Sequence, residues 1–332
     1  MITQAKRNSF SRDILLIDDI ENVVDKLTQK IKEDIFFRLK RKGAVVGISG
    51  GIDSSVSLAL VAWALGPGNV LSLMLPEKDS SADSKLFALK LADKFSVESI
   101  EEDITGVLEG YNCYKRRDEA VARVFPEYDP LYYKMKIGIN KTGISQNLPP
   151  LFYLTIIDQG GNQKSQIIPV NEYLQIVASS NFKQRSRMSM LYYHAELRNY
   201  AVIGTPNKNE VEQGFFVKHG DGAADLMPIA GFYKTQVYQL AYFLGVPDEI
   251  IKRIPTTDTY SAEQSQEEFF FQFPYEELDL YWYGFENGYL PEEVGPVMNK
   301  TAKEVEIIYN NFARKHRTTE YLRTTPIHYN LL

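Results

Sequence analysis

The stretch Ala44-Val-Val-Gly-Ile-Ser-Gly-Gly-Ile-Asp-Ser-Ser-Val-Ser-Leu-Ala59 decides the fold. Ala44 to Ile48 is an apolar run of strand type. Ser49, Gly50, Gly51, Asp53, Ser54 and Ser55 form a loop, and Val56, Leu58, Leu60 and Val61 continue as a helical pattern. Two adjacent glycines leave backbone N–H groups uncovered and permit φ values that other residues resist. The helix start adds unpaired N–H groups and the positive end of a dipole, so the turn is built to hold an anion such as phosphate. Asp53 would repel that phosphate unless a divalent cation sat between them, which points to a magnesium-bound nucleotide. No Gly-Lys-Ser/Thr ending follows, so this is not a Walker A loop.

Outward from the turn, strands and helices alternate. After strand 44–48 the pattern predicts helix 54–65, strand 70–75, helix 81–95 and a short strand near 97–100. Ahead of it, Val23, Val24, Leu27, Ile31, Ile35 and Leu39 recur at three- and four-residue steps, so residues 1–42 read as a leading helical segment that Gly43 can end. A second block starts near Asn181 with a helix to Arg198, then a strand from Tyr200 to Ile203 that runs into Gly204-Thr205. Helices are expected at 233–244, 247–253 and 301–315. This alternation predicts an α/β fold with a parallel sheet, helices on both faces and ligands at the carboxyl ends of the strands, all within a single domain.

Residues 112–176 break the pattern. Leu151 to Ile157 and Gln166 to Val170 flank Asp-Gln-Gly-Gly-Asn, a β-hairpin signal, after a stretch rich in tyrosine and proline. An insertion of this length serves as an interface, a surface elaboration or a substrate lid.

Composition excludes several classes. With 44% apolar residues the chain has ample core, and a net charge of −6 does not suit a general nucleic-acid binder. No run of 18 apolar residues occurs, so no membrane association is expected. The single cysteine, Cys113, cannot form an internal disulfide, which suits a reducing cytoplasm. Cys113 reads as a buried or incidental thiol, and zinc-type spacings are absent.

Ser-Gly-Gly-x-Asp-Ser-Ser resembles the pyrophosphate loop of the N-type ATP pyrophosphatases, which cleave ATP between its α and β phosphates. Further motifs follow in order: Asn181-Phe-Lys-Gln-Arg-Ser-Arg-Met188, Gly204-Thr-Pro-Asn-Lys-Asn-Glu210, Gly214-Phe-Phe-Val-Lys-His-Gly-Asp-Gly-Ala-Ala-Asp225, Met227-Pro-Ile-Ala-Gly-Phe-Tyr-Lys-Thr235 and Leu244-Gly-Val-Pro-Asp-Glu-Ile-Ile-Lys-Arg-Ile-Pro255. Together they resemble the ammonia-dependent NAD synthetases over nearly the whole chain outside the insertion, which implies the adenine-nucleotide α-hydrolase-like fold. The resemblance implies amidation of deamido-NAD through an adenylate, with release of AMP and pyrophosphate.

Residue by residue, it implies Asp53 and Glu210 as magnesium ligands, and Ser49, Gly50, Gly51, Ser54 and Ser55 as the pyrophosphate cradle. Arg185 and Thr205 fall near ATP, and Lys234 would reach phosphate. Lys218, Asp221 and Asp225 fall where deamido-NAD binds, with Asp53, Lys218, Asp221 and Lys234 as the catalytic set. Arg187 reads equally as support for its helix, and His219 as packing. The resemblance also implies a homodimer. Few residues precede the ATP loop and Cys113 lies in the variable region, so free ammonia is the expected nitrogen donor; a separate glutaminase subunit is not indicated.

Two elements depart from the family pattern. The stretch from Ala262 to Glu267, with Gln264 at its centre, lacks the family's aspartate, and Tyr321-Leu322-Arg323 places leucine where lysine is expected. An amide ligase acting on a different carboxylate would show this combination, and a nucleotide-binding relative without catalysis is the third reading.

Overall fold

The computed structural model of the chain describes residues 8–139, 151–255, 259–265 and 270–329. Four strands form the central sheet: β1 (Ala44–Gly47), β2 (Val70–Met74), β3 (Glu98–Glu101) and β7 (Ala201–Ile203), in the order β3-β2-β1-β7 and all parallel. Ala44 pairs with Val70 on one side and with Ala201 on the other. The expected parallel α/β sheet is therefore the one observed, with strand ends within one residue of those expected.

Successive strand residues face opposite layers. Ala44, Val46, Ala201 and Ile203 pack with α1 (Ile20–Glu33), α2 (Ile52–Leu65), α3 (Ala82–Lys94) and, further along the chain, residues 237–244. Val45, Leu71, Leu73 and Val202 face the other way, onto α4 (Thr105–Gly110), α5 (Cys113–Val124) and α6 (Val170–Arg198). α2 is buried almost all round, only Trp63 being exposed, and its near-continuous apolar run follows from that central place.

The segment 112–176 holds more structure than a hairpin. β4 (Tyr133–Ile139), β5 (Phe152–Asp158) and β6 (Gln163–Ile167) form a separate antiparallel sheet in the order β4-β5-β6. Its core joins Met135, Ile137, Leu154 and Ile156 to Val121, Phe125, Ile176 and Tyr260. The predicted second strand lies three residues earlier than expected. Pro169 then sits at the N-cap of α6 with φ −62°, so the helix begins at Val170 rather than near Asn181.

The second half adds α7 (Lys208–Gln213), α8 (Lys234–Leu244) and α9 (Asp248–Ile251), then α10 (Tyr275–Glu286), α11 (Pro291–Met298), α12 (Ala302–Thr318) and α13 (Glu320–Arg323). α10 to α12 enclose their own core of Leu278, Tyr281, Trp282, Val294, Val305, Ile308 and Phe312, completed by Phe10 and Leu15. Leu58 is fully buried in α2. Leu58→Ala is expected to destabilise the fold by about 2 to 5 kcal/mol, read as a lower denaturant midpoint at unchanged m-value.

Candidate active site

A cleft of about 490 Å³ opens at the carboxyl ends of β1, β2 and β7. The 49–54 turn forms its floor. Gly50 has φ +71°, and a Cβ there would stand 2.8 Å from both Phe87 Cβ and Ser84 O, so glycine is required for its backbone and for its space. Gly51 caps α2 without any side-chain hydrogen bond, while Ser54 and Ser55 donate back to its carbonyl at 2.9 and 2.8 Å. The N–H groups of the first turn are thus not consumed by a capping side chain.

Asp53 stands at the edge of this turn. Its Oδ2 pairs with Lys234 Nζ, and its Oδ1 accepts from Asn207 Nδ2 at 3.0 Å. Lys234, the first residue of α8, is wholly buried. Burial alone would drain its charge, but the facing Asp53 and Glu210 outweigh it and hold the ammonium above its ordinary pKa. Asn207 and Glu210 form a capping box at the start of α7, with Asn207 N donating to Glu210 Oε2 at 3.0 Å. Burial first, and then the charge of Asp53, push the Glu210 carboxyl up to about 8. A buried carboxyl whose ionisation is opposed by a neighbouring carboxylate belongs to a donor set that a hard divalent cation relieves, and Mg²⁺ takes one or two carboxylates alongside phosphate oxygens. Among the described residues no group of three or more His, Cys, Asp or Glu is placed so that it could hold a metal ion by itself.

Ser49, Gly51, Asp53, Ser54, Thr205, Glu210 and Asp221 all line the cleft. Gly50, Ser55 and Lys234 lie behind its surface. Asp221 accepts from Val217 N at 2.8 Å, and burial pushes its carboxyl up to about 6. Three expected residues turn elsewhere. Arg185 is exposed, donates to Lys218 O at 3.2 Å and lies on a separate surface concavity. Lys218 donates to Tyr321 O and Thr324 O at 2.8 and 2.7 Å, and Asp225 accepts from Val202 N at 2.8 Å at the end of the sheet. Arg323 caps carbonyls at the ends of α7 and α12, those of Val211, Glu212 and His316. Gln264 is buried beside Gly138, while Gln266 and Glu267 lie outside the described residues.

Other groups at the site were not singled out from the sequence. Arg253, just after α9, donates to Gly50 O at 3.4 Å and to Ser84 Oγ at 3.1 Å, bracing the turn against α3. Asp279 accepts from Asn209 Nδ2 and from Thr235 N, the latter at 2.7 Å, and so fixes the start of α8. Lys183, 1% exposed, lines the cleft and bridges Glu77 Oε1 and Asp79 Oδ2 at 2.9 Å each. Arg117 joins Asp79 to Asp118 at 2.6 and 2.8 Å, and Tyr114 donates to Glu77 at 2.8 Å. The signal for Lys183 and Arg253 was their place within the quoted motifs; Asp279 carried none.

The parallel order β3-β2-β1-β7, with an anion-binding turn after β1 and paired carboxylates at the strand ends, defines the adenine-nucleotide α-hydrolase-like class. The family profile described as NAD synthase matches residues 19–124 and 155–326, and the chain belongs to that family. It is 44% identical over 318 residues to the NH(3)-dependent NAD(+) synthetase of Rhizobium meliloti (strain 1021), covering 96% of this chain and 94% of that protein. The protein of the same description from Rhizobium rhizogenes (strain K84) is 42% identical, covering 96% of each. Among solved structures, NMN synthetase from Francisella tularensis superposes with a TM-score of 0.63 over 94% of this chain and 99% of that one; at 23% identity the likeness is one of fold.

Burial raises the Asp79 pKa, but Lys183 and Arg117 outweigh it and hold the group below its ordinary value of 3.8. Its stabilisation is therefore full above that value and is lost as pH falls through the depressed one. Lys183→Met leaves Glu77 and Asp79 without this partner and is expected to cost roughly 3 to 5 kcal/mol. Thermal unfolding should show that deficit at pH 7 and a narrower one below about pH 4.

Proposed function

We propose that the chain forms NAD by ATP-dependent amidation of deamido-NAD, with ammonia as the nitrogen donor. The observation that carries this reading is the grouping of the Gly-Gly turn, Asp53, Glu210 and Lys234 at one cleft in a member of the NAD synthase family. A carboxylate is a poor acyl donor because oxide is a poor leaving group. In the first step an oxygen of the substrate carboxylate attacks the α-phosphorus of ATP, the bond from that phosphorus to the bridging oxygen breaks, and pyrophosphate leaves. In the second step ammonia attacks the acyl carbon, the C–O bond to AMP breaks, and the nitrogen loses a proton.

In this reading the N–H groups of the 49–54 turn hold pyrophosphate, with Ser49, Gly50, Gly51, Ser54 and Ser55 shaping the cradle. Asp53 and Glu210 are the residues that would hold Mg²⁺, whose chemistry is to neutralise charge on the phosphate oxygens. Lys234 positions Asp53 and carries positive charge toward the phosphates, with Thr205 beside them. Asp221, buried and titrating near 6, offers an acceptor for the proton released by the attacking nitrogen. Lys218 and Asp225 act on the deamido-NAD side by holding the 217–225 loop. Arg185, placed outside the cleft, reaches ATP only if its side chain turns from Lys218 O.

We also read the chain as a homodimer working in the cytoplasm. Val170 and Leu174 are exposed in the first turns of α6 and Tyr193 and Leu197 in its last turns, while Val107 and Tyr111 are exposed on α4 and just beyond it, Tyr111 stacking on Phe182 of α6. A second copy would cover exposed apolar side chains of this kind. No described helix is long and apolar enough to cross a membrane.

The deciding assay follows NAD and pyrophosphate together from deamido-NAD, MgATP and ammonium. Turnover that requires all three is expected; ATP binding without either product would overturn the reading. Asp53→Asn should lower turnover by at least a hundredfold in protein that stays folded by circular dichroism at the assay temperature, with a lowered thermal midpoint because buried Lys234 loses its charged partner; unchanged turnover would remove Asp53 from the metal assignment. Light scattering on the wild type should return twice the 38.0 kDa chain mass, and Leu174→Glu with Tyr193→Glu should return the monomer.

A further inference from the structure

The cleft does not end on the parallel sheet. Its far wall is built by Ile139, Phe152 and Tyr173, with Val177 and Ser180 beside them on α6. Ile139 and Phe152 are cross-strand partners at the ends of β4 and β5, and both fall in the stretch between 124 and 155 that the family profile does not span. The rings of Phe152 and Tyr173 stack at 4.4 Å with an interplanar angle of 29°. Ser180 is 4% exposed, and among the described residues its Oγ has no hydrogen-bond partner although the residue lines the cleft. A buried hydroxyl without a partner costs free energy unless something else supplies the bond. The inserted sheet is itself tied to the rest of the cleft: Met135 N donates to Ser261 Oγ at 2.9 Å and Ala262 N to Met135 O at 3.1 Å, next to Tyr260, which also lines it.

We propose that this inserted sheet gives the cleft a ring-binding wall for the acid substrate, with Phe152 as a specificity-determining residue. The inference rests on the amidation reading. The anion-binding turn fixes the phosphates of ATP at the sheet end, so the attacking carboxylate must reach the α-phosphorus from the opposite side. In deamido-NAD that carboxylate is bonded directly to an N-alkylated pyridinium ring. A planar cation of this kind is favoured over the outward π faces of the stacked Phe152 and Tyr173. An aliphatic acid would gain nothing from the stacked rings.

Steady-state kinetics of wild type, Phe152→Ala, Phe152→Leu and Phe152→Tyr separate the alternatives. Leucine keeps apolar volume in the strand and removes the π face, so it guards against a folding defect in the alanine variant; thermal midpoints are read alongside. The expected result is a KM for deamido-NAD raised roughly tenfold in both Ala and Leu variants, unchanged KM for MgATP, and recovery in the Tyr variant. Wild-type turnover with the deamido-NAD KM unchanged in both variants overturns the wall, and so does a rise confined to MgATP. A wild type that does not amidate deamido-NAD overturns the functional reading itself, and the identity of the ring with it.

Discussion

Asp53 offers one carboxylate oxygen to Lys234 and the other to Asn207, partners 181 and 154 residues further along the chain. The turn after β1, the cap of α7 and the first residue of α8 therefore meet over a single side chain. Each of these helices packs by its apolar residues, but apolar contact is non-directional and tolerates a slip of an ångström. The ion pair and the amide do not, because their energies depend on distance and angle. Glu210 adds to the constraint by capping α7 while facing Asp53. The geometry of the cleft floor follows from where that one carboxylate is held.

A second set of buried charges works on the opposite wall. Lys183 and Lys234 are both among the largest fully buried side chains, and each is matched to carboxylates rather than to water. Such pairs contribute little net stability compared with well-packed apolar groups, and their loss one partner at a time is costly. Their effect is to fix position. Glu77 and Asp79 belong to the loop after β2, Arg117 to α5 and Lys183 to α6, so the network ties the sheet end to the helix that leads out of the inserted sheet. The two walls are separately braced, and the cleft keeps its width.

Local chemistry made much of this legible. The Gly-Gly turn, the alternation of short apolar runs with helical periods and the strand into Gly204-Thr205 are all signals that span fewer than twenty residues. The family resemblance assigns Asp53 to magnesium and Lys234 to phosphate, but their ion pair is not legible in the sequence, since no periodicity links positions so far apart. β4 was passed over although Lys134-Met-Lys-Ile137 alternates with period two, because tyrosines and prolines just before it read as loop. α10 was passed over for another reason. Its Leu-Tyr-Trp-Tyr-Gly-Phe run has strand-like propensity, and only Pro274 at the N-cap with Glu276 and Glu277 in the first turn marks a helix. Tertiary packing against Val294, Val305 and Phe312 decides that segment, and packing is not written locally.

The spacing along the chain also sets a timetable during synthesis. A ribosome adding about 5–20 residues per second needs roughly 10 to 35 s to travel from Asp53 to Lys234, and further time to reach Tyr321 and Thr324, whose carbonyls hold Lys218. The sheet strands β1, β2 and β3 emerge early and can associate. The nascent chain at that stage has an Asp53 carboxylate still hydrated, and it becomes competent for its ligands only once α8 and the segment around Tyr321 have emerged.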